Sequence, residues 1–176
     1  SFTIPHVRQG GKALPTQDEQ EMSNINLDWR KHAVFYAELA PSQMNRFDCA
    51  LELLPSRPRP AVKPRRGRFD LGHERLKVRI NAETGLVDRF AVDGIDFVKP
   101  SSFQLLVLDD NDDPWETRYR SFRKVLGPFL LMTREEGTRF SGVRQGLLDS
   151  VRVVEDGAVR TVVEAMLRYV DSFAVV

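Results

Sequence analysis

The residues best placed to bind a metal ion lie in an acidic run that begins at Asp109. Asp109, Asn111 and Asp113 have the one-three-five spacing of a calcium-binding EF-hand loop. Pro114 stands where that loop needs glycine, and Arg120 stands where it needs glutamate. Calcium binding is therefore one interpretation of this run, and a solvated loop is the simpler prediction.

The remaining reactive side chains have no spacing that selects a catalytic group. His6, His32 and His73 are scattered, without the HExxH or CxxC pattern of a zinc site. No glycine-rich loop precedes a helix pattern, and residues 142–146 lack the serine of a nucleophile elbow. A pair of carboxylates could hydrolyse a glycosidic bond, but no pair stands out among the many acidic residues. The chain read alone is not predicted to be a complete enzyme.

Three other segments could contact a ligand. Trp115, beside the acidic run, could stack on a sugar ring or anchor the loop on the core. The proline- and arginine-rich residues 56–68 could bind phosphate or a partner, although such a stretch is typical of a solvated linker. Residues 118–124 interleave cations with aromatic rings, as in a groove for single-stranded nucleic acid. Because the formal net charge is only +1, we predict no nucleic-acid partner.

The composition is that of an ordinary globular protein, with 41% hydrophobic and 29% charged residues in a chain of 176. The longest apolar runs, residues 105–108 and 129–132, are too short to span a bilayer, so no membrane partner is predicted. The single Cys49 cannot form an intrachain disulfide and no signal-peptide pattern is present, which favours the cytoplasm. A chain that begins at Ser1 and stops inside an apolar strand pattern is expected to be a piece of a longer protein.

Alternating apolar side chains predict a β-meander between residues 73 and 108. Leu76, Val78 and Ile80 alternate with polar residues, as in a strand with one wet face. Glycine-containing turns at residues 83–85 and 93–94 separate this strand from the next two. Further strands are predicted at residues 2–8, 14–20, 33–40, 47–54, 103–108, 129–132, 143–148, 151–154 and 159–169, with turns at 135–137 and 155–157.

This pattern predicts an all-β protein built as an antiparallel β-sandwich. Residues 1–55 are expected to form part of a small β-sandwich, and residues 56–68 to be the linker. Residues 69–176 are expected to form the start of a large β-sandwich domain. Strands cut off from their partners would leave free edges, so a homodimer formed through exposed edges is also an expectation.

Several segments occur in an order typical of one enzyme family. A strand opens after a His-Glu pair and leads to a Thr-Gly turn, and a Phe-Gln-Leu strand and an acidic Asp-Pro-Trp loop follow. The segments are His73-Glu74, Leu76-Lys77-Val78, Glu83-Thr84-Gly85, Phe103-Gln104-Leu105 and Asp112-Asp113-Pro114-Trp115, with residues 11–17 and 35–41 upstream and 155–160 downstream. Together they resemble the C-terminal β-rich region of family 38 glycoside hydrolases, the α-mannosidases, especially the bacterial type.

The resemblance implies a zinc-dependent retaining hydrolase of α-mannosides as the parent protein. In such enzymes the nucleophile and the zinc ligands lie in an N-terminal barrel, which this chain does not contain. The β-rich region, a supersandwich like that of galactose mutarotase, packs on the barrel and lines part of the sugar cleft. Gln104 is the substrate-binding residue that the resemblance implies, and Trp115, whose ring could stack on a sugar, is the second candidate. No catalytic residue, metal ligand or cofactor is expected here. His73 replaces the family's usual asparagine, which leaves open a different glycan preference.

The leading hypothesis is therefore a non-catalytic β-sandwich portion of an α-mannosidase-like glycoside hydrolase. Its partners would be the parent's catalytic barrel and an α-mannoside or other glycan. The alternative is an independent carbohydrate- or protein-binding β-sandwich module. A mutarotase-like epimerase is disfavoured, because His73 and Glu74 on one strand would face opposite ways.

Overall fold

The computed structural model describes residues 2–19, 32–56, 58–110 and 123–176. Antiparallel strands are the main secondary structure of these residues, with one short helix, so the all-β, sandwich-like fold is confirmed. The elements in chain order are β1 (Phe2–Gln9), β2 (Lys12–Ala13), β3 (Thr16–Asp18), β4 (Ala33–Phe35), β5 (Asp48–Leu54), β6 (Arg68–Gly72), β7 (Leu76–Asn81), β8 (Val87–Val92), β9 (Ile95–Asp96), β10 (Leu106–Leu108), β11 (Val125–Pro128), β12 (Leu130–Leu131), α1 (Arg134–Phe140), β13 (Val151–Asp156), β14 (Thr161–Tyr169) and β15 (Ser172–Val175).

The chain divides into two compact units. The first comprises Ser1–Val62 and Val153–Val163, and the second comprises Lys63–Arg152 and Glu164–Val176. The hairpin of β13 and β14 therefore contributes its tip to the first unit and its base to the second. The predicted boundaries at residues 55 and 69 stay a prediction.

The first unit is built on β1. This strand pairs with β2 on one side and with β5 on the other, in a register that sets Phe2 opposite Leu54. Val7 of β1 is buried. A second, two-stranded sheet pairs β3 with β4, and the rings of Phe35 and Phe47 lie 5.1 Å apart.

The second unit contains a sheet in the order β6-β7-β8-β9. The strands follow one another along the chain, as predicted for the meander. Phe69 and Ala91 are almost completely buried. Gly85 ends the turn between β7 and β8 with φ +73°, and an added Cβ there would lie 2.9 Å from the Cβ of Ala165. Glycine is therefore needed both for the turn and for the close approach of the turn to β14.

The second sheet of this unit has the order β12-β14-β13, with β15 also paired to β14. Met166 of β14 is buried at its centre. The helix α1 begins with a capping box, in which Thr133 and Glu136 each accept a hydrogen bond from the other's backbone N–H. Gly137 lets the helix approach Met166, since an added Cβ would lie 2.7 Å from its Cε.

Several predicted elements are wrong in detail. Residues 135–137 are helical rather than a turn, because the capping box starts a helix at Arg134. Residues 143–148 are not a strand, since Thr138 accepts the backbone N–H groups of Val143 and Leu148. The strand predicted at 33–40 ends at Phe35.

Two further differences concern the segments quoted for the resemblance and the linker. His73 and Glu74 lie in the turn between β6 and β7 rather than on a strand. The reasoning that set their side chains on opposite faces therefore does not apply. Only Leu130 and Leu131 of the strand predicted at 129–132 lie in a strand, β12. The strand β6 begins at Arg68, the last residue of the predicted linker.

Candidate functional site

Gln104, one of the two predicted substrate-binding residues, is exposed in the loop that leads into β10. The loop of residues 99–104 is bonded to the edge of β8. Ser102 and Val87 exchange backbone hydrogen bonds of 2.9 and 3.1 Å. The backbone N–H of Ser101 donates to a carboxylate oxygen of Asp88 at 3.0 Å. Gln104 is therefore presented on backbone that the sheet holds in place.

Phe103, next to Gln104, has a strained and exposed position. Its φ is +66° and that of Ser101 is +65°, a conformation that is rare for a bulky side chain and costs of order 1–3 kcal/mol. The ring is nevertheless 70% exposed, so burial of this side chain does not offset the strain. An exposed aromatic ring beside a primary amide can stack on a sugar ring and hydrogen-bond its hydroxyl groups.

The sequence predicted Gln104 but missed Phe103 as a site residue. The prediction placed Phe103 inside a strand at 103–108. The strand begins only at Leu106, and the preceding residues turn along the edge of β8. The signal available in the sequence was Ser101-Ser102, since paired serines favour a turn over a strand.

Trp115, the other predicted substrate-binding residue, lies outside the described residues. The proposed calcium ligands at positions 111 and 113 lie outside them as well. Asp109, the first member of the acidic run, receives a 2.9 Å hydrogen bond from the ammonium group of Lys124. A cation at Asp109 would have to compete with this ammonium group, and the calcium interpretation stays a prediction.

The three histidines lie in separate places. His6 is 2.7 Å from a carboxylate oxygen of Glu52, and His32 is 3.3 Å from one of Glu19. His73 accepts a long hydrogen bond from the backbone of Arg75. Among the described residues, no three His, Cys, Asp or Glu side chains come together in a way that could hold a metal ion. The zinc that the resemblance places in the parent's catalytic barrel stays a prediction.

A buried polar network ties β3 to the hairpin of β13 and β14 within the first unit. Both oxygens of Glu155 accept from the guanidinium of Arg160, at 2.7 and 2.9 Å, and Glu19 accepts a third bond from Arg160. These carboxylates raise the pKa of Arg160, with the hydrogen bond to Glu155 as the largest cause. The carbonyl oxygen of the Gln17 side chain accepts the backbone N–H groups of Val159 and Arg160.

This network is a structural element rather than a reactive one. Glu155 is buried and both of its carboxylate oxygens are hydrogen-bonded to Arg160, an arrangement that fixes the two side chains. The amide nitrogen of Gln17 also donates to Glu155 at 3.2 Å. This network was not predicted, because Gln17 and Glu155 are separated by 138 residues along the chain.

In the part of the chain that the structure describes, no helix has the length and apolar character needed to cross a membrane. Comparisons with protein-family models, with curated proteins and with solved structures found no match to this chain. The resemblance to family 38 glycoside hydrolases therefore stays a prediction from the residues quoted for it.

Proposed function

We propose that the chain is a non-catalytic β-sandwich portion of an α-mannosidase-like glycoside hydrolase. In this proposal it supports the catalytic barrel of the parent enzyme and lines part of the sugar cleft. Zinc would be bound by the barrel and would supply the Lewis acid of the parent's reaction. The parent would act in the cytoplasm.

One observation supports this proposal most. The residue expected to reach the sugar, Gln104, is exposed beside the exposed ring of Phe103 on the loop of residues 99–104. Hydrogen bonds from Ser101 and Ser102 to β8 hold that loop. Such a loop can line a cleft at low cost, because backbone that is already held in place does not have to be ordered when the substrate binds.

The proposal is tested by assaying the parent polypeptide on an aryl α-mannoside, with and without a chelator. We expect Gln104→Ala to lower kcat/KM about tenfold, the effect of losing one hydrogen bond to substrate. The matched control is Gln145→Ala, since Gln145 is also an exposed glutamine of the second unit. Equal activity of the two variants would refute the assignment of Gln104 to the sugar cleft.

The exposed ring of Phe103 also favours a second candidate, an independent carbohydrate-binding module. This candidate predicts that the chain by itself binds methyl α-mannoside or another simple glycoside with a saturable calorimetric signal. Binding should be abolished by Phe103→Ala and by Trp115→Ala, and it should not change in Gln145→Ala. No saturable binding at millimolar glycoside would reject the module and leave the enzyme-portion proposal untouched.

A further inference from the structure

One face of the β6-β7-β8-β9 sheet carries charged side chains from all four strands. We call it the charged face. The residues of its central row are Asp70 on β6, Arg79 on β7, Arg89 on β8 and Asp96 on β9. Asp70 is directly opposite Arg79, and Arg79 is directly opposite Arg89. The row therefore has two adjacent cations at its centre and one carboxylate at each end.

The two arginines are directly opposed on neighbouring strands, which places like charges side by side. Directly opposed side chains on neighbouring antiparallel strands have Cβ atoms about 4.5–5.5 Å apart, and like charges there are destabilising. Lys77, two residues before Arg79 on the same face, adds a third cation and is opposite the small side chain of Ala91. The centre of the charged face is thus a cluster of Lys77, Arg79 and Arg89.

The outer carboxylates engage only one nitrogen of each arginine. The Nε of Arg79 donates to Asp70 at 2.6 Å, and the Nε of Arg89 donates to both oxygens of Asp96 at 3.1 Å. Within the described ranges, the terminal nitrogens of both guanidiniums have no protein acceptor. Each terminal nitrogen carries two N–H groups, so the cluster holds unused donors on two side chains that the carboxylates have already oriented.

The carboxylates do not neutralise the whole face. Asp70 is shared, since Arg68 also lies 3.8 Å from its other oxygen. The carboxylate of Asp88, at the bulge beside Arg89, accepts hydrogen bonds from the side chain of Asn81 and from the backbone N–H of Ser101. The side chains of Arg79 and Arg89 are 34% and 40% exposed, so the cluster is open to a ligand but partly shielded from water.

We propose that Lys77, Arg79 and Arg89 form a binding site for a phosphate monoester. Guanidinium forks match the oxygens of a phosphoryl group and bind them in bidentate fashion, and a dianion would relieve the repulsion between the two arginines. Lys77 would contribute a point charge. The site is on the charged face of the sheet and does not depend on the proposed glycosidase role.

The test is an NMR titration of the whole chain with inorganic phosphate and with methyl phosphate, at constant ionic strength. Both ligands should produce saturable shifts at the side chains of Arg79 and Arg89, with a dissociation constant on the order of 1 mM. Chloride at the same ionic strength should not. Binding of inorganic phosphate without methyl phosphate would overturn the assignment to a monoester.

The decisive variant is Arg89→Lys, which keeps the charge and removes the fork. It should weaken phosphate binding at least tenfold, and Arg79→Lys should do the same if Arg89→Lys does not fold. The matched control is Arg75→Lys. Arg75 already uses both Nε and a terminal nitrogen on Asp93, each at 2.7 Å, so its change should leave binding within twofold. Absence of saturable shifts in the wild type, or equal binding by Arg89→Lys and Arg75→Lys, would overturn the proposal.

Discussion

Replacing Gln17 with alanine should open the hairpin of β13 and β14 at its tip. The side chain of Gln17 is buried and makes three hydrogen bonds, two from the backbone N–H groups of Val159 and Arg160 at 2.9 and 2.8 Å and one to Glu155 at 3.2 Å. Alanine cannot replace any of them. The backbone N–H groups of Val159 and Arg160 would lose their acceptor in partly buried positions, whereas Glu155 would keep its hydrogen bonds from the guanidinium of Arg160.

The cost of Gln17→Ala can be worked out from these bonds. An unsatisfied buried donor costs about 1–3 kcal/mol, and we take the lower end for each of these two N–H groups because their positions are only partly buried. The two unsatisfied N–H groups cost about 2 kcal/mol and the lost bond to Glu155 about 1 kcal/mol, so the free energy of unfolding should fall by about 3 kcal/mol. The control is Gln43→Ala, since Gln43 is exposed and its change should stay within about 0.5 kcal/mol.

Urea unfolding measures the loss in the free energy of unfolding. Hydrogen exchange shows which part of the chain is destabilised. Because the chain has two compact units, a global transition need not report on one of them alone. The backbone amides of Val159 and Arg160 should exchange faster in Gln17→Ala than in Gln43→Ala, while amides of the second unit stay unchanged. If both variants have equal stability and equal exchange at these two amides, the assigned role of Gln17 is wrong.

Two further predictions concern the second unit. Gly85→Ala should destabilise it by about 2–4 kcal/mol in chemical unfolding, because the turn needs φ +73° and the new Cβ would meet Ala165 at 2.9 Å. Gly94→Ala is the control, because Gly94 has φ +84° and an added Cβ would meet nothing within 4 Å. It should cost only the backbone strain, about 1–2 kcal/mol. Equal destabilisation by Gly85→Ala and Gly94→Ala would contradict the close approach of Gly85 to Ala165. The pKa of Glu136 is lowered, mainly by the hydrogen bond from the backbone of Thr133, so the ionised form stabilises the fold above the unfolded pKa of about 4.3. This stability should be lost as the pH falls through the lower folded pKa. The wild type should thus lose more thermal stability on acidification than Glu136→Gln. Melting temperatures of the two proteins that fall in parallel with pH would refute this role of Glu136.

The sheet elements of this chain were predictable where alternation and turn residues agree. Leu76, Val78 and Ile80 alternate with polar residues and Gly85 marks the turn, so β7 and β8 could be placed from the sequence. The helix α1 was missed because it has only 7 residues, too few for a 3.6-residue period to show. Its capping box at Thr133 and Glu136 was the available signal.

The candidate site was less predictable than the sheets. Gln104 was expected from a family resemblance, and its exposure could not have been read from its neighbours. Phe103 was assigned to a strand because aromatic residues favour strands. The bonds of Ser101 to Asp88 and of Ser102 to Val87 hold this part of the chain in a loop along β8 instead. The pairing of Arg79 with Arg89 depends on the register shift between Arg79 and Ile80, which alternation alone does not reveal.

The most direct measurement of the proposed function compares the parent polypeptide with residues 1–176 on an aryl α-mannoside, in zinc and after chelation. The proposal predicts chelator-sensitive turnover by the parent and none by residues 1–176 alone. Zinc-dependent turnover by residues 1–176, or a parent that shows no α-mannosidase activity, would contradict it.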